Sequence, residues 1–157
     1  MKGLLSSFRW AWQGLAYCLR TQRNLRIHLT AAALAVWLGS RFGLSRAEFV
    51  LLWLTIGLVV AAELFNTAAE KLTDLCCPGF DRRAGLVKDI AAGAVLFAAA
   101  AAVGVGISLF WQPDLWRRLL AQPQQLVFPL AIAAVGAWAV FGLPYAKDKT
   151  NTDKEQE

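Results

Sequence analysis

The sequence predicts an all-α membrane protein: an N-terminal amphipathic surface helix, three core transmembrane helices and a fourth, C-terminal span. Three observations carry that prediction. The 157 residues are 57% hydrophobic and only 17% charged, whereas soluble domains are about 45–50% apolar and about 25% charged. The apolar residues fall into four runs rather than being spread evenly. Residues before the first run alternate charge and apolar side chains at helical spacing.

Each element follows from its own stretch. In residues 3–23, Leu4, Leu5, Phe8, Trp12, Leu15 and Leu19 recur at helical intervals and form one stripe, with Arg9, Arg20 and Arg23 elsewhere. That pattern is a helix lying in the membrane interface, not a cleavable signal. The first run, Leu29 to Leu44, reaches spanning length as residues 27–45 when Ile27 and His28 sit among the headgroups, because a span needs about 17–25 residues. The second, starting at Phe49, continues into a polar stretch and is expected to be helical over about 47–72. The third, Ile90 to Trp111, is uncharged, rich in Ala, Val and Gly, and sets a span at about 88–111. The fourth, about 126–143, has Pro129 near its start and Pro144 just past its end.

Lys and Arg set the orientation, since cytoplasmic loops carry the excess. Lys2, Arg9, Arg20, Arg23 and Arg26 precede the first span. Lys71, Arg82, Arg83 and Lys88 lie between the second and third, and Lys147, Lys149 and Lys154 are in the tail. Both termini and the middle loop of this multi-pass protein are therefore expected on the cytoplasmic side; the bacterial inner membrane is what the family resemblance given below implies. The formal charge of +5 then reads as attraction to anionic lipid, about 1 kcal/mol per basic residue near the surface. With no soluble basic domain, nucleic acid is not an expected partner. Cys18, Cys76 and Cys77 would face a reducing compartment, and their spacing is neither a disulfide framework nor, with His28 far off in sequence, a zinc site.

The chemistry concentrates in Ala61 to Asp74. Glu63, Asn66, Glu70 and Asp74 stand three, four and four residues apart, which stacks them on one helix face, with Thr67 beside them. At 1.5 Å per residue, Glu63 and Glu70 are roughly 10 Å apart along the axis. A charged side chain at mid-bilayer costs about 2.5–3.5 kcal/mol, while each Leu, Ile, Phe or Val returns about 0.3–0.6. One deep acid nearly cancels the gain from Phe49 to Val60. The acids are therefore expected near the headgroups or facing a protein-lined cleft, and intramembrane acids mark function by default. Lys88 and Asp89 begin the third span, and a helical hairpin through Pro78 and Gly79 returns them to the depth of Glu70 and Asn66. Acids, an amide and a lysine at a lipid surface suit phosphoryl transfer: carboxylates hold Mg²⁺ or accept a hydroxyl proton, and lysine neutralises phosphate. The same set suits a proton or cation pathway. No phosphate-binding glycine loop is present, and Gly104 and Gly106 fit close helix packing instead.

The run Glu63-Leu-Phe-Asn66-Thr-Ala-Ala-Glu70-Lys-Leu-Thr-Asp74 resembles the ExxNxxxExxxD signature of the prokaryotic diacylglycerol kinase and undecaprenol kinase family. Lys88-Asp89-Ile-Ala-Ala-Gly-Ala-Val-Leu is similar to its second signature, KDxAAGAVL. Arg23-Asn24-Leu-Arg26-Ile-His28 resembles the start of its first span. The resemblance implies a lipid kinase-like core over residues 1–111, with residues 112–157 as an added span and charged tail. It also implies a homotrimer with active sites shared between subunits at the cytoplasmic surface, using ATP and Mg²⁺ to phosphorylate a membrane lipid, diacylglycerol or undecaprenol. By position, Glu63 would be the general base, Glu70 the Mg²⁺ ligand, Lys88 a phosphate contact and Asp89 a nucleotide contact. Asn66 would order the acids, with Asp74 supporting. Gln22 stands where the family has a metal-binding acid, and Gly85 where it usually has a lysine. Gln22 would be a weak ligand for the metal and the nucleotide phosphates, and it leaves a non-catalytic membrane protein on the same scaffold as the alternative.

Overall fold

The computed structural model describes residues 2–143, all helix and connecting turns with no strand among the described residues. Pro144 and the tail lysines Lys147, Lys149 and Lys154 lie outside them. The helices are α1 (Lys2–Thr21), α2 (Arg23–Phe42), α3 (Arg46–Cys76), α4 (Arg82–Phe110), α5 (Pro113–Leu120) and α6 (Val127–Ala137). A 3₁₀ turn, Pro123–Leu126, leads into α6, and a π-helical turn, Trp138–Gly142, continues it.

Three helices are long and apolar enough to cross a membrane: Arg46–Cys76, Arg82–Phe110 and the composite Pro123–Gly142. The expected first span is α2, which is 20 residues long. Composition alone does not mark it as a span, because Arg23, Arg26 and Arg41 sit at its ends. Most of the large apolar side chains on α3, α4 and α6 point outward, Phe97 at 80% and Leu96 at 72% exposure among them. In water that would be untenable; in lipid it is the expected face.

The boundaries differ from the sequence expectation at helix ends, for identifiable reasons. The surface helix stops at Thr21, and Gln22 is extended (φ −101°, ψ 111°), so α2 begins at Arg23 rather than Ile27. The span α4 starts at Arg82 instead of Lys88, because the Asp81 carboxylate accepts from the Arg83 backbone N–H at 2.7 Å and caps the charged first turn. Between α2 and α3 the chain reverses in three residues. Gly43 takes the left-handed conformation (φ +67°) that ends α2. Ser45 and Glu48 then cap α3 reciprocally, Glu48 Oε2 accepting from the Ser45 backbone N–H at 2.7 Å.

Leu44, Leu52 and Leu109 form the buried apolar core, backed by Val36, Phe49, Ile56 and Phe110. It occupies the end of the bundle where α2 stops, α3 starts and α4 stops. Phe42 meets Phe110 edge-on at 6.0 Å and Trp116 of α5 at 5.3 Å, closing that end. The opposite end, where α1 joins α2 and α3 turns into α4, carries the polar residues.

Candidate active site

One unbroken helix, α3, presents the acids. Glu63 is 2% exposed and Thr67 3%. The Thr67 hydroxyl donates back to the Glu63 carbonyl at 3.0 Å. Asn66 Nδ2 donates to Glu70 Oε1 at 2.9 Å, one helical turn apart. Glu63 is thus a buried acid in a helix long and apolar enough to cross a membrane, and Asn66 and Glu70 are half-buried.

Glu63 meets α2. Its Oε1 lies 3.1 Å from His28 Nε2, and His28 itself is a quarter exposed. The distance is that of an ion pair, and Oε1 accepts no hydrogen bond. Asn66 Oδ1 is also buried without a donor. Two buried acceptors left open on one helix face are costly, about 1–3 kcal/mol each, and they are where a hydroxyl proton or a cation would be stabilised.

The amphipathic helix α1 covers this end. Lys71 of α3 stands 5.8 Å over the Tyr17 ring. Burial pushes the Cys18 thiol above its ordinary pKa, with Thr67 a smaller, opposing influence. The α1–α2 elbow is clamped by Arg26, which is 7% exposed. Its guanidinium donates to the carbonyls of Leu19 (2.7 Å) and Arg20 in α1 and of Ala139 (2.8 Å) in the π-helical turn. Gln22, at that elbow, is half-buried and makes no side-chain cap.

The second cluster lies nearer the loop than the simple hairpin expectation. Lys88 Nζ pairs with Asp74 Oδ1 at 2.5 Å, one turn beyond Glu70, and both are substantially exposed. Asp89 is exposed. Within one chain, then, Glu63, Asn66 and Glu70 share a face, and Lys88 joins Asp74 rather than Glu70.

Below His28 runs an apolar cleft of about 240 Å³ between α2, α3 and α4. Ala31, Ala32 and Ala35 line it from α2, Val59 from α3 and Ala102 from α4, with Phe110 at its far end. Its polar head is His28, one contact from Glu63.

Among the described residues no three His, Cys, Asp or Glu side chains gather as a metal-binding group. Mg²⁺ does not require one: it keeps several waters and is held by one or two carboxylates plus substrate phosphates. Glu70, half-buried with Oε1 already ordered by Asn66, and the open Asn66 Oδ1 fit an ion delivered with a nucleotide.

Of these features, sequence reasoning missed the His28–Glu63 contact and the Arg26 clamp. The first was within reach: counted outward from the Gly43–Ser45 turn, an antiparallel hairpin puts His28 and Glu63 at similar depth. The second was not, because the carbonyl of Ala139 carries no sequence signal.

Comparison with known proteins adds an independent line. The sequence profile of the prokaryotic diacylglycerol kinase family matches residues 9–110. A diacylglycerol kinase of Synechocystis sp. is 44% identical over 111 residues, covering 70% of this chain and 63% of that protein. An undecaprenol kinase of Bacillus subtilis is 36% identical over 104 residues, covering 66% of this chain and 85% of that protein. No solved structure matches. The chain thus spans somewhat less than two thirds of the Synechocystis relative and most of the Bacillus one. The matched region ends with α4, so α5 and the fourth span lie beyond it.

Proposed function

Since the chain belongs to the prokaryotic diacylglycerol kinase family, we propose that it is a lipid kinase that transfers the γ-phosphate of Mg-ATP to the hydroxyl of a membrane lipid. One observation carries the reading: the Glu63 carboxylate is buried, holds an oxygen open and stands beside His28 at the head of an apolar cleft. That is where a lipid alcohol presents itself when its hydrocarbon lies among the helices.

In this reading the hydroxyl proton passes to Glu63 as the oxygen attacks the γ-phosphorus and ADP leaves. General-base assistance of this kind contributes about 10²–10⁴-fold. Most of the remainder is positioning and charge, as in other phosphoryl transfers. Glu70 and Asn66 would hold Mg²⁺, with Gln22 at the elbow as a weaker neighbour. Bound there, the ion would neutralise the phosphate oxygens. Asp74 takes one of the three donors of Lys88, leaving two for phosphate. Asp89, exposed one residue on, contacts the nucleotide. Because Lys88 pairs with Asp74 rather than with Glu63 or Glu70 within one chain, a homotrimer that brings Lys88 of one subunit to the acids of another completes the site. Its open face is the cytoplasmic side of the inner membrane.

The test is transfer from γ-labelled ATP to diacylglycerol and to undecaprenol, side by side in mixed micelles. Labelled lipid in either supports the reading and identifies the substrate. If neither lipid is labelled and calorimetry detects no Mg-ATP binding, the chain is a non-catalytic membrane protein on this scaffold. Proton or cation flux from proteoliposomes without ATP would indicate a carrier.

A further inference from the structure

His28 is the only histidine in the sequence, and the phosphoryl-transfer scheme leaves it without a role. Its position is unusual in three respects. It lies on α2, yet its Nε2 is 3.1 Å from Glu63 Oε1 on α3, so it bridges two elements. It is a quarter exposed while Glu63 is nearly fully buried, so it stands between the acid and the outside. It also continues the face of α2 formed by Ala31, Ala32 and Ala35, which lines the apolar cleft. Those residues fall three, four and seven positions after His28, one side of a helix. The apolar groove therefore ends at the imidazole.

A glutamate has three rotatable bonds, and ordering a side chain of this kind costs up to about 2 kcal/mol. The backbone of α3 cannot aim the carboxylate by itself, and Thr67 bonds only the Glu63 carbonyl. A donor from a neighbouring helix can. We propose that His28 is a positioning residue for Glu63, holding Oε1 beside the head of the cleft, where that open acceptor meets the lipid hydroxyl. This role rests on the lipid kinase reading. The ring contact is close but is not a hydrogen bond in the structure. It tightens into a hydrogen bond when a lipid fills the cleft, as catalytic hydrogen bonds commonly do on substrate binding.

Two measurements test the proposal separately from the activity it serves. Protein labelled with ¹⁵N-histidine gives the resonances of one imidazole, because the sequence holds one histidine. Glu63→Gln should displace the Nε2 resonance, while Asp114→Asn, on the exposed surface of α5, should leave it in place. An Nε2 resonance indifferent to Glu63→Gln overturns the contact and the proposal with it. Kinetics then ask what the contact does. His28→Leu should lower kcat by about 10- to 100-fold, the scale of a small misplacement of a reacting group, with KM for Mg-ATP unchanged. His28→Gln, which can return an N–H near the same place, should recover much of that loss. In the Glu63→Gln background, His28→Leu should cost nothing further. A displaced resonance with full kcat in His28→Leu, or a loss that adds to that of Glu63→Gln, overturns the positioning role. Failure of wild-type protein to phosphorylate any lipid, with the resonance still responsive to Glu63→Gln, removes the kinase reading and the role together while leaving the contact established.

Discussion

The two faces of α2 contrast sharply. On one face, Ala31, Ala32 and Ala35 meet α3 and α4 across a cleft that ends at His28, itself 3.1 Å from Glu63. That side carries buried polar atoms with open valences. On the other face, α2 is gripped by the fourth span with its polar groups paired. Arg26 donates to the Ala139 carbonyl, Arg23 stands 4.8 Å over the Phe141 ring, and Gly136 abuts Thr30. The first face is arranged to receive something; the second is already occupied. A helix can thus carry chemistry along one side because the other side fixes it in place.

Breaking the first face should give the larger effects. Glu70→Gln removes the carboxylate expected to hold the metal, so turnover should fall by more than about 100-fold, the scale of disrupted metal sites. Mg-ATP binding by calorimetry should weaken in parallel, while the helical content by circular dichroism is kept.

Breaking the second face should affect stability first. A Cβ at Gly136 would collide with the Thr30 side chain, and overpacking of this kind costs about 1–3 kcal/mol. Gly136→Val should therefore lower the midpoint of thermal unfolding in detergent, with kcat falling far less than in Glu70→Gln. Arg26→Met acts on both faces, since it strips donors from carbonyls of α1 and of the π-helical turn. It should lower stability and also loosen the elbow that holds Gln22, seen as faster proteolysis near Thr21.

A smaller change sharpens the comparison from the other direction. Gln22→Glu puts an acid at the elbow of α1 and α2, and Mg-ATP affinity should rise several-fold in calorimetric titration. Smallest is a difference in thiol reactivity. Cys18 is buried on the inner side of α1 with its pKa raised by desolvation, whereas Cys76 is exposed. A maleimide at neutral pH should label Cys76 first and Cys18 last, because the thiolate is the reactive form.

Much of this is legible in the sequence. The steps of three, four and four from Glu63 to Asp74 imply a shared face, and α3 runs unbroken through them as that spacing requires. The four apolar runs locate the long helices. Helix ends are less legible, since the Asp81 cap and the extended Gln22 depend on local hydrogen bonds rather than hydropathy. Lys88 lies one turn from its expected depth, because α4 begins earlier than its apolar run and its charged first turn extends the hairpin. The docking of the fourth span on α2 depends on a glycine's missing side chain and on a backbone carbonyl. Neither leaves a pattern in composition.

Glu63, buried against the histidine that heads the apolar cleft, is the proposed acceptor of the proton from a lipid alcohol. The most direct measurement is the rate of γ-phosphate transfer by Glu63→Gln, beside its affinity for Mg-ATP. The expected rate is at least about 100-fold below wild type, with nucleotide affinity and α3 intact. Phosphorylated lipid formed at the wild-type rate would contradict the claim.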